Sequence, residues 1–340
     1  MKEILDIQQQ LLPDLIDTMK KRHTILQHVL MHGMIGRRAL ASSVEMTERT
    51  LRSEVKFLRE QGLIDIEING MKLTGHGREL LENMEPMIKI AFGLTELEER
   101  IRDAFQLSGV MIVRGDADSS MYTKKELGRA GAHVLRKYLT NDSVIAVTGG
   151  STMAEVANYL GSSSPLKDCW FIPARGGLGE RVELQANHIV SAMAKRVGGQ
   201  YRLLHVPDQL GEEVTQSLVQ DPQIKEIIEI IRNAKIVIHG IGDAMVMALR
   251  RKVNLETREI LLREGALAEA FGYYFDHRGH VIHQTPTMGL RLEDLDRMEV
   301  VIGVAGGKSK GESIAAVLRH GQEDILITDE GAALEILKHM

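Results

Sequence analysis

The chain has 340 residues, enough for two domains, and carries a net charge of −5, which excludes a uniformly basic nucleic-acid coat but not a local patch. Hydrophobic residues make up 44% and aromatics only 4%, so an ordinary globular core must be filled by aliphatics and methionine. A single cysteine, Cys169, excludes an internal disulfide framework, and no stretch approaches the ~18 apolar residues of a membrane span. With no signal-peptide pattern at the N-terminus, the expectation is a soluble, cytoplasmic protein with no resident metal or cofactor.

Residues 1–80 have a helical grammar that ends in a hairpin. Pro13 suits a first helical turn, Ile25, Leu26, Val29 and Leu30 mark one face, and Gly33 fits the stop. A short helix follows, opened by Arg37 and Arg38 with Ile35, Leu40 and Val44 turned inward. A third helix begins at Thr47, a good N-cap, repeats Leu51, Val55 and Leu58 at helical spacing, and ends at Gly62. LIDIEINGMKLT then alternates around Asn69-Gly70, a two-residue hairpin signal. Three helices and a hairpin describe a winged helix-turn-helix with Thr47–Glu60 as the recognition helix. Arg49, Thr50, Arg52, Ser53 and Lys56 lie on its outward side, where arginine can bond a guanine edge twice and the others can take phosphates. Residues 18–56 hold eight basic and three acidic side chains, a balance of +5 within an acidic chain. Residues 81–108 read as a stiff helical connector, broken near Pro86 and Gly93.

From residue 109 to 340 short apolar runs alternate with amphipathic helices: GVMIV, SVIAV, CWFIP, YRLLHV, KIVIHG, VVIGVA and DILIT. That alternation predicts an α/β domain with a mostly parallel sheet. AFGYYFDHRGHVIH reads as an inserted hairpin around Arg278-Gly279, and Cys169 as a buried packing residue. Three glycine turns sit at strand ends. Gly149-Gly150 is followed by the hydroxyls of Ser151 and Thr152; Gly306-Gly307 by Lys308, Ser309 and Lys310; and Gly176-Gly177 follows Arg175. Backbone N–H groups at such turns gather around anions, and the cations favour an anionic ligand. The spacing matches neither a P-loop nor a dinucleotide fingerprint. Arg250-Arg251 closes a helix and can hold a second phosphate, while Glu269, in apolar surroundings, needs a partner, either a sugar hydroxyl or an internal arginine. Asp116, Asp118, Asp329 and Glu330 read as solvated loop carboxylates.

GRRALA, ERTLRSEVKFLREQGL, VTGGST, FIPARGGLGE, QAN, YRLLHVP, HGIG, EAFGYYF, VAGGKSK and TDEGAA follow one another along almost the full length. In this the chain resembles the SorC/DeoR-type sugar-responsive bacterial transcription regulators. The resemblance implies a C-terminal domain that looks like phosphosugar isomerases and deaminases but serves as an effector sensor, and one member of the family senses fructose 1,6-bisphosphate. It implies a phosphate on Gly149, Gly150, Ser151, Thr152 and Lys310, a sugar among Arg175, Gln185 and Glu269, and a second phosphate on Arg250 and Arg251. Ser151 stands where the family has Thr, and the hydroxyl survives. The partners implied are operator DNA and a homo-oligomer, a dimer of dimers on DNA. The rival reading is an active sugar-phosphate isomerase or deaminase with an attached DNA-binding domain. It would need an acid–base pair at the sugar, and the spacing of the carboxylates offers none.

Overall fold

The computed structural model describes residues 10–177, 181–207, 214, 217–218, 220–286 and 288–340. The chain divides into two compact units, Met1–Glu96 and Leu97–Met340.

In the first unit Pro13 opens the helix Pro13–His32, which stops at Gly33 with φ +67. Helices Arg37–Ser43 and Glu48–Glu60 follow, the latter capped by the Thr47 side chain accepting from the Thr50 N–H. Leu51, Val55 and Leu58 are buried with Ile25, Leu26, Val29 and Leu40 in one core, as their spacing predicts. Strands β1 (Ile64–Glu67) and β2 (Gly70–Leu73) form the hairpin. Its register pairs Glu67 with Gly70, so the turn is Ile68-Asn69, one residue earlier than the sequence suggests. The reason lies in packing. Gly70 has φ +144, and a Cβ there would lie 2.7 Å from the Ile35 carbonyl oxygen. Ile35 exchanges both backbone hydrogen bonds with Met71, so the glycine serves a third strand contact rather than the turn. The connector differs as well. Helix Gly75–Ala91 runs unbroken through Pro86 and breaks only at Gly93. Leu81, Ile88 and Ala91, buried on both sides of the proline, outweigh the ~3 kcal/mol penalty of a helix-interior proline.

Helix Leu94–Phe105 leads into the second unit, where the Glu98 carboxylate accepts the Ile112 N–H at 2.8 Å. The main sheet comprises β3 (Gly109–Val113), β4 (Val144–Val147), β5 (Trp170–Pro173), β6 (Gln200–Tyr201), β7 (Ile236–His239), β12 (Val300–Val304) and β13 (Ile325–Asp329). All its pairings are parallel, in the order β3-β13-β12-β7-β4-β5-β6. Six of the seven apolar runs supply full strands; YRLLHV contributes only Tyr201, because the Asn187 side chain takes both backbone groups of Leu204 and draws the chain away from the sheet edge. A smaller antiparallel sheet, β11-β10-β9-β8, is built from β8 (Gly242–Asp243), β9 (Ala268–Ala270), β10 (Tyr273–Phe275) and β11 (Val281–Gln284). The turn at Arg278-Gly279 lies between β10 and β11, as expected. Cys169 is fully buried, and burial pushes its thiol up to about 12.

Candidate effector site and nucleic-acid interface

On the recognition helix the buried stripe of Leu51, Val55 and Leu58 turns Arg49, Thr50, Arg52, Ser53 and Lys56 outward, and all five are exposed. Arg37 and Arg38 are exposed at the start of the preceding helix, with Arg38 3.6 Å from Glu48. Among the described residues Arg37, Arg49 and Arg52 form no ion pair, which leaves three guanidinium groups for an external anion. Part of the basic balance is internal instead. Lys21 and Arg22 both reach Glu54, at 3.7 and 2.9 Å, and the Arg22 guanidinium lies 3.6 Å from the Phe57 ring centre. They brace the recognition helix from behind.

In the second unit β4 and β7 lie side by side, and the chain leaves them toward opposite edges of the sheet. A crevice at the carboxyl ends of such strands is where open α/β sheets bind ligands. One cavity opens there. It is lined by Gly149, Gly150, Ser151 and Thr152 after β4, by Arg175 after β5, by Arg250 and Arg251, by Glu269 on β9, and by Lys310 after β12. Nine of the ten effector residues proposed from the sequence therefore share one cavity. Gln185 stands just behind the wall, where a Cβ on Gly177 would lie 3.6 Å from its side-chain oxygen.

The three glycine turns are chemically unequal. Gly149 packs so tightly that a Cβ would lie 2.7 Å from the Leu184 carbonyl oxygen, and Gly150 has φ +121. Helix Ser151–Tyr159 begins there with no side chain capping it, so its first N–H groups are left for a ligand. Elsewhere in the unit Ser120, Asp221, Asp243, Asn254 and Asp329 cap their helices. At the turn that begins with Gly306-Gly307 the three amides from Gly307 to Ser309 are already taken. The Gly307 N–H goes to Asp329 at 2.7 Å, that of Lys308 to Asp116 at 3.0 Å, and that of Ser309 to Asp118 at 2.7 Å. The expectation of solvated loop carboxylates is therefore corrected for these three. Asp329 is fully buried and also accepts from Ala117 and Ala332; together the aspartates fasten the turn that presents Lys310. Lys308 is exposed and does not line the cavity. In the third turn Gly176 serves close packing, its Cβ position 2.7 Å from the Val206 carbonyl oxygen, while Leu178, Gly179 and Glu180 lie outside the described residues.

Glu269 finds its partner inside the protein. One oxygen, Oε1, accepts Nη1 of Arg175 at 3.0 Å, Nη2 of Arg251 at 3.0 Å and the Gly272 N–H at 2.6 Å. All three side chains are buried. Burial alone would push the carboxyl up, but the charges of Arg251 and Arg175 prevail and hold it below the usual carboxylate range. A carboxylate pinned by two guanidinium groups is a poor proton acceptor and a firm hydrogen-bond acceptor, which suits reading a hydroxyl rather than moving a proton. The two adjacent arginines thus part company. Arg251 is buried against Glu269, whereas Arg250 is exposed at the cavity rim. Lys310 is pushed down by burial first, then by Lys124, with Arg250 adding to the repulsion. Positive charges held together in this way gain from an anion placed among them.

The sequence reading missed the cavity residue Phe271 and, behind it, a buried histidine that does not itself line the cavity. His239 ends β7 fully buried, its ring 4.4 Å from that of Phe271, a cavity residue with φ +54. Its Nε2 lies 3.6 Å from Glu323, too long for a hydrogen bond. Burial pushes His239 down to about 4 and Glu323 up to about 8, so both are neutral near pH 7. The only sequence signal was a histidine inside an otherwise apolar run.

A winged helix-turn-helix and an α/β unit with a cationic cavity define a ligand-responsive DNA-binding regulator. Residues 89–338 match the family model described as "Putative sugar-binding domain", and residues 18–88 match the CggR N-terminal DNA binding domain. The chain is 47% identical over 339 residues to a central glycolytic genes regulator of Priestia megaterium, and 43% identical over 338 residues to one of Bacillus subtilis, with 99% of each chain covered in both cases. A SorC family transcriptional regulator from Enterococcus faecalis is 41% identical, with a TM-score of 0.67 over 71% of this chain and 99% of that one. The full-length sorbitol operon regulator SorC from Klebsiella pneumoniae shares the fold at 18% identity, with a TM-score of 0.67 over 89% and 94% of the two chains. The chain belongs to the SorC/DeoR-type family of sugar-binding transcriptional regulators. It is a regulator and not an enzyme.

Proposed function

We propose that this chain represses glycolytic genes in the cytoplasm by binding operator DNA through Arg37, Arg38 and the recognition-helix residues Arg49, Thr50, Arg52, Ser53 and Lys56, and that fructose 1,6-bisphosphate loosens that binding. One phosphate sits on the uncapped start of helix Ser151–Tyr159, held by the amides and hydroxyls of Ser151 and Thr152 and by Lys310, while Gly149 and Gly150 let the backbone approach closely, the Gly150 N–H itself being taken by the Leu184 carbonyl at 2.8 Å. The second meets Arg250. The sugar between them gives a hydroxyl to Glu269, which Arg175 and Arg251 hold ionised, with Gln185 beside it. The observation that carries this reading is a single cavity combining an uncapped helix start with mutually repelling cations at Lys310 and Arg250. Here Arg251 is a positioning residue for Glu269 rather than a phosphate ligand. The bisphosphate acts by its differential affinity for two arrangements of a homo-oligomer, a dimer of dimers on DNA, of which it favours the one that binds the operator less cooperatively. The test is anisotropy of a fluorescent glycolytic promoter fragment with the full chain. Binding weakened by fructose 1,6-bisphosphate, and not by an equal concentration of inorganic phosphate, supports the reading. Binding indifferent to both removes it.

A further inference from the structure

The hairpin of the first unit carries an apolar stripe that outruns its core. Ile64, Ile66 and Ile68 recur at every second position along β1 and into the turn, and their exposure climbs from 1% to 39% to 104%. Ile68 is the most exposed large apolar side chain among the described residues. It shares the apex with Asn69, also exposed, where a polar pair would be solvated at no cost. The apex is firmly held. Ile66 lies opposite Met71 in the ladder, and Met71 exchanges both backbone hydrogen bonds with Ile35, at 3.0 and 2.8 Å. That third strand contact fastens the hairpin two residues before Arg37, the start of helix Arg37–Ser43. The hairpin itself has no cation for a phosphate: Lys72 is ion-paired to Glu67, and Asp65 faces Lys72 across the ladder. Strand alternation puts Asp65 and Glu67 on the face away from Ile64 and Ile66.

We propose that Ile68, backed by Ile66, is an apolar wedge that enters the minor groove of bound DNA, parts a base step there and bends the duplex. This wedge rests on the reading above, in which Arg37 and Arg38 meet the phosphate backbone beside a recognition helix in the major groove. A major groove is bounded by phosphate backbones, and across each of them lies the minor groove. An element fastened beside a backbone contact, rather than on the recognition helix, is the one placed to cross into it. Isoleucine is among the apolar side chains that slide between base steps from the minor groove, which kinks the duplex toward the major groove. Asparagine is among the side chains that read the base edges exposed there, and Asn69 stands next to Ile68. Three features favour DNA over another protein as the occupant. Residues 18–88, which include the whole hairpin, match a DNA-binding domain. The exposed Arg37, Arg49 and Arg52, without ion pairs among the described residues, bring phosphates to the same unit. A single narrow apex also has the shape of a wedge, whereas a stable protein interface needs a broad patch of ~800 Å².

The test is binding and bending of a glycolytic promoter fragment by the full chain, for the wild type, Ile68→Ala, Ile68→Leu, and Arg49→Ala with Arg52→Ala. Anisotropy across salt gives affinity and salt slope, and energy transfer between dyes at the two ends of the fragment gives the bend. The wild type should bend the fragment. Ile68→Ala should bind roughly tenfold more weakly, as for one aliphatic side chain kept out of an apolar site, with the salt slope unchanged and the bend reduced. Ile68→Leu should restore affinity and bend. Because Ile68 touches no core, both Ile68 variants should melt with the wild type. An Ile68→Ala protein that binds and bends as the wild type does leaves the apex to solvent or to another protein and overturns the proposal. A wild type that leaves the fragment straight overturns it equally, as does an Ile68→Ala protein that binds weakly with the wild-type bend or with a lower salt slope, the mark of a lost phosphate contact. The arginine pair separates the two readings. If that variant binds as the wild type does while Ile68→Ala is weakened and bends less, the recognition helix is misassigned and the wedge stands.

Discussion

Arg250 and Arg251 are neighbours with identical side chains, yet the structure assigns them different work, and stability separates them. Arg251 is buried and donates to a buried carboxylate at 3.0 Å. Replacing it by alanine leaves Glu269 with Arg175 and the Gly272 N–H only. Removing one partner of a buried ion pair costs roughly 3–5 kcal/mol. Because two donors remain on the same oxygen, the lower end applies, about 3 kcal/mol, or more than a hundredfold in the folding equilibrium. Arg250 is exposed with no protein partner among the described residues, so Arg250→Ala should stay within about 0.5 kcal/mol of the wild type. The chain has one tryptophan, Trp170 on β5, so its fluorescence during urea unfolding reports on the second unit alone. The two variants should give midpoints well apart with similar slopes. Equal midpoints, or an Arg251→Ala penalty below about 1 kcal/mol, would refute the assignment of Arg251 to Glu269.

The same carboxylate gives a pH signature. Its pKa is lowered on folding, so its contribution is present above the unfolded carboxylate range and is lost as pH falls through the folded value. Acid unfolding of Glu269→Gln should accordingly be less steep than that of the wild type. Glu323 has the opposite sign: raised to about 8, it contributes fully below the unfolded carboxylate pKa and loses that contribution as pH rises to about 8. Glu323→Gln should then stabilise the second unit more at pH 8 than at pH 5, as read by thermal unfolding at both. On the recognition helix, Arg49→Ala or Arg52→Ala should weaken operator binding by ~1–3 kcal/mol where the arginine reads a base, and should lower the salt slope where it holds a phosphate. Anisotropy across salt distinguishes the two, and unchanged affinity for both variants would remove this helix as the reader. Purified protein should neither isomerise nor deaminate hexose phosphates, and product formation scaling with protein concentration and abolished in Glu269→Ala would contradict the pinned carboxylate.

Much of this architecture was legible because local signals agreed with the fold. Thr47, Gly33 and the Leu51–Val55–Leu58 spacing mark helix boundaries and a buried face by themselves, and the parallel strands read as short apolar runs because both sides of the sheet are covered. The misreadings lie where tertiary contacts decide. Gly70 signals a turn by its residue type, but a neighbouring carbonyl claims the space of its Cβ. Pro86 signals a helix break, yet packing on either side carries the helix through. Three glycine turns look alike in one dimension; only the fold shows that the amides of Gly307, Lys308 and Ser309 are bound to distant aspartates while those at Ser151 are not. In the same way nothing in the dipeptide Arg250-Arg251 tells which guanidinium turns inward to a glutamate eighteen residues away.

The most direct measurement is isothermal titration of the full chain with fructose 1,6-bisphosphate and with fructose 6-phosphate, repeated in Arg250→Ala and Thr152→Ala. A cavity with a phosphate site at each end predicts tighter binding of the bisphosphate by the wild type. It predicts a gap between the two ligands that shrinks in Arg250→Ala, and weaker binding of both in Thr152→Ala. A bisphosphate preference that survives Arg250→Ala undiminished would place the second phosphate elsewhere and contradict the account of the cavity.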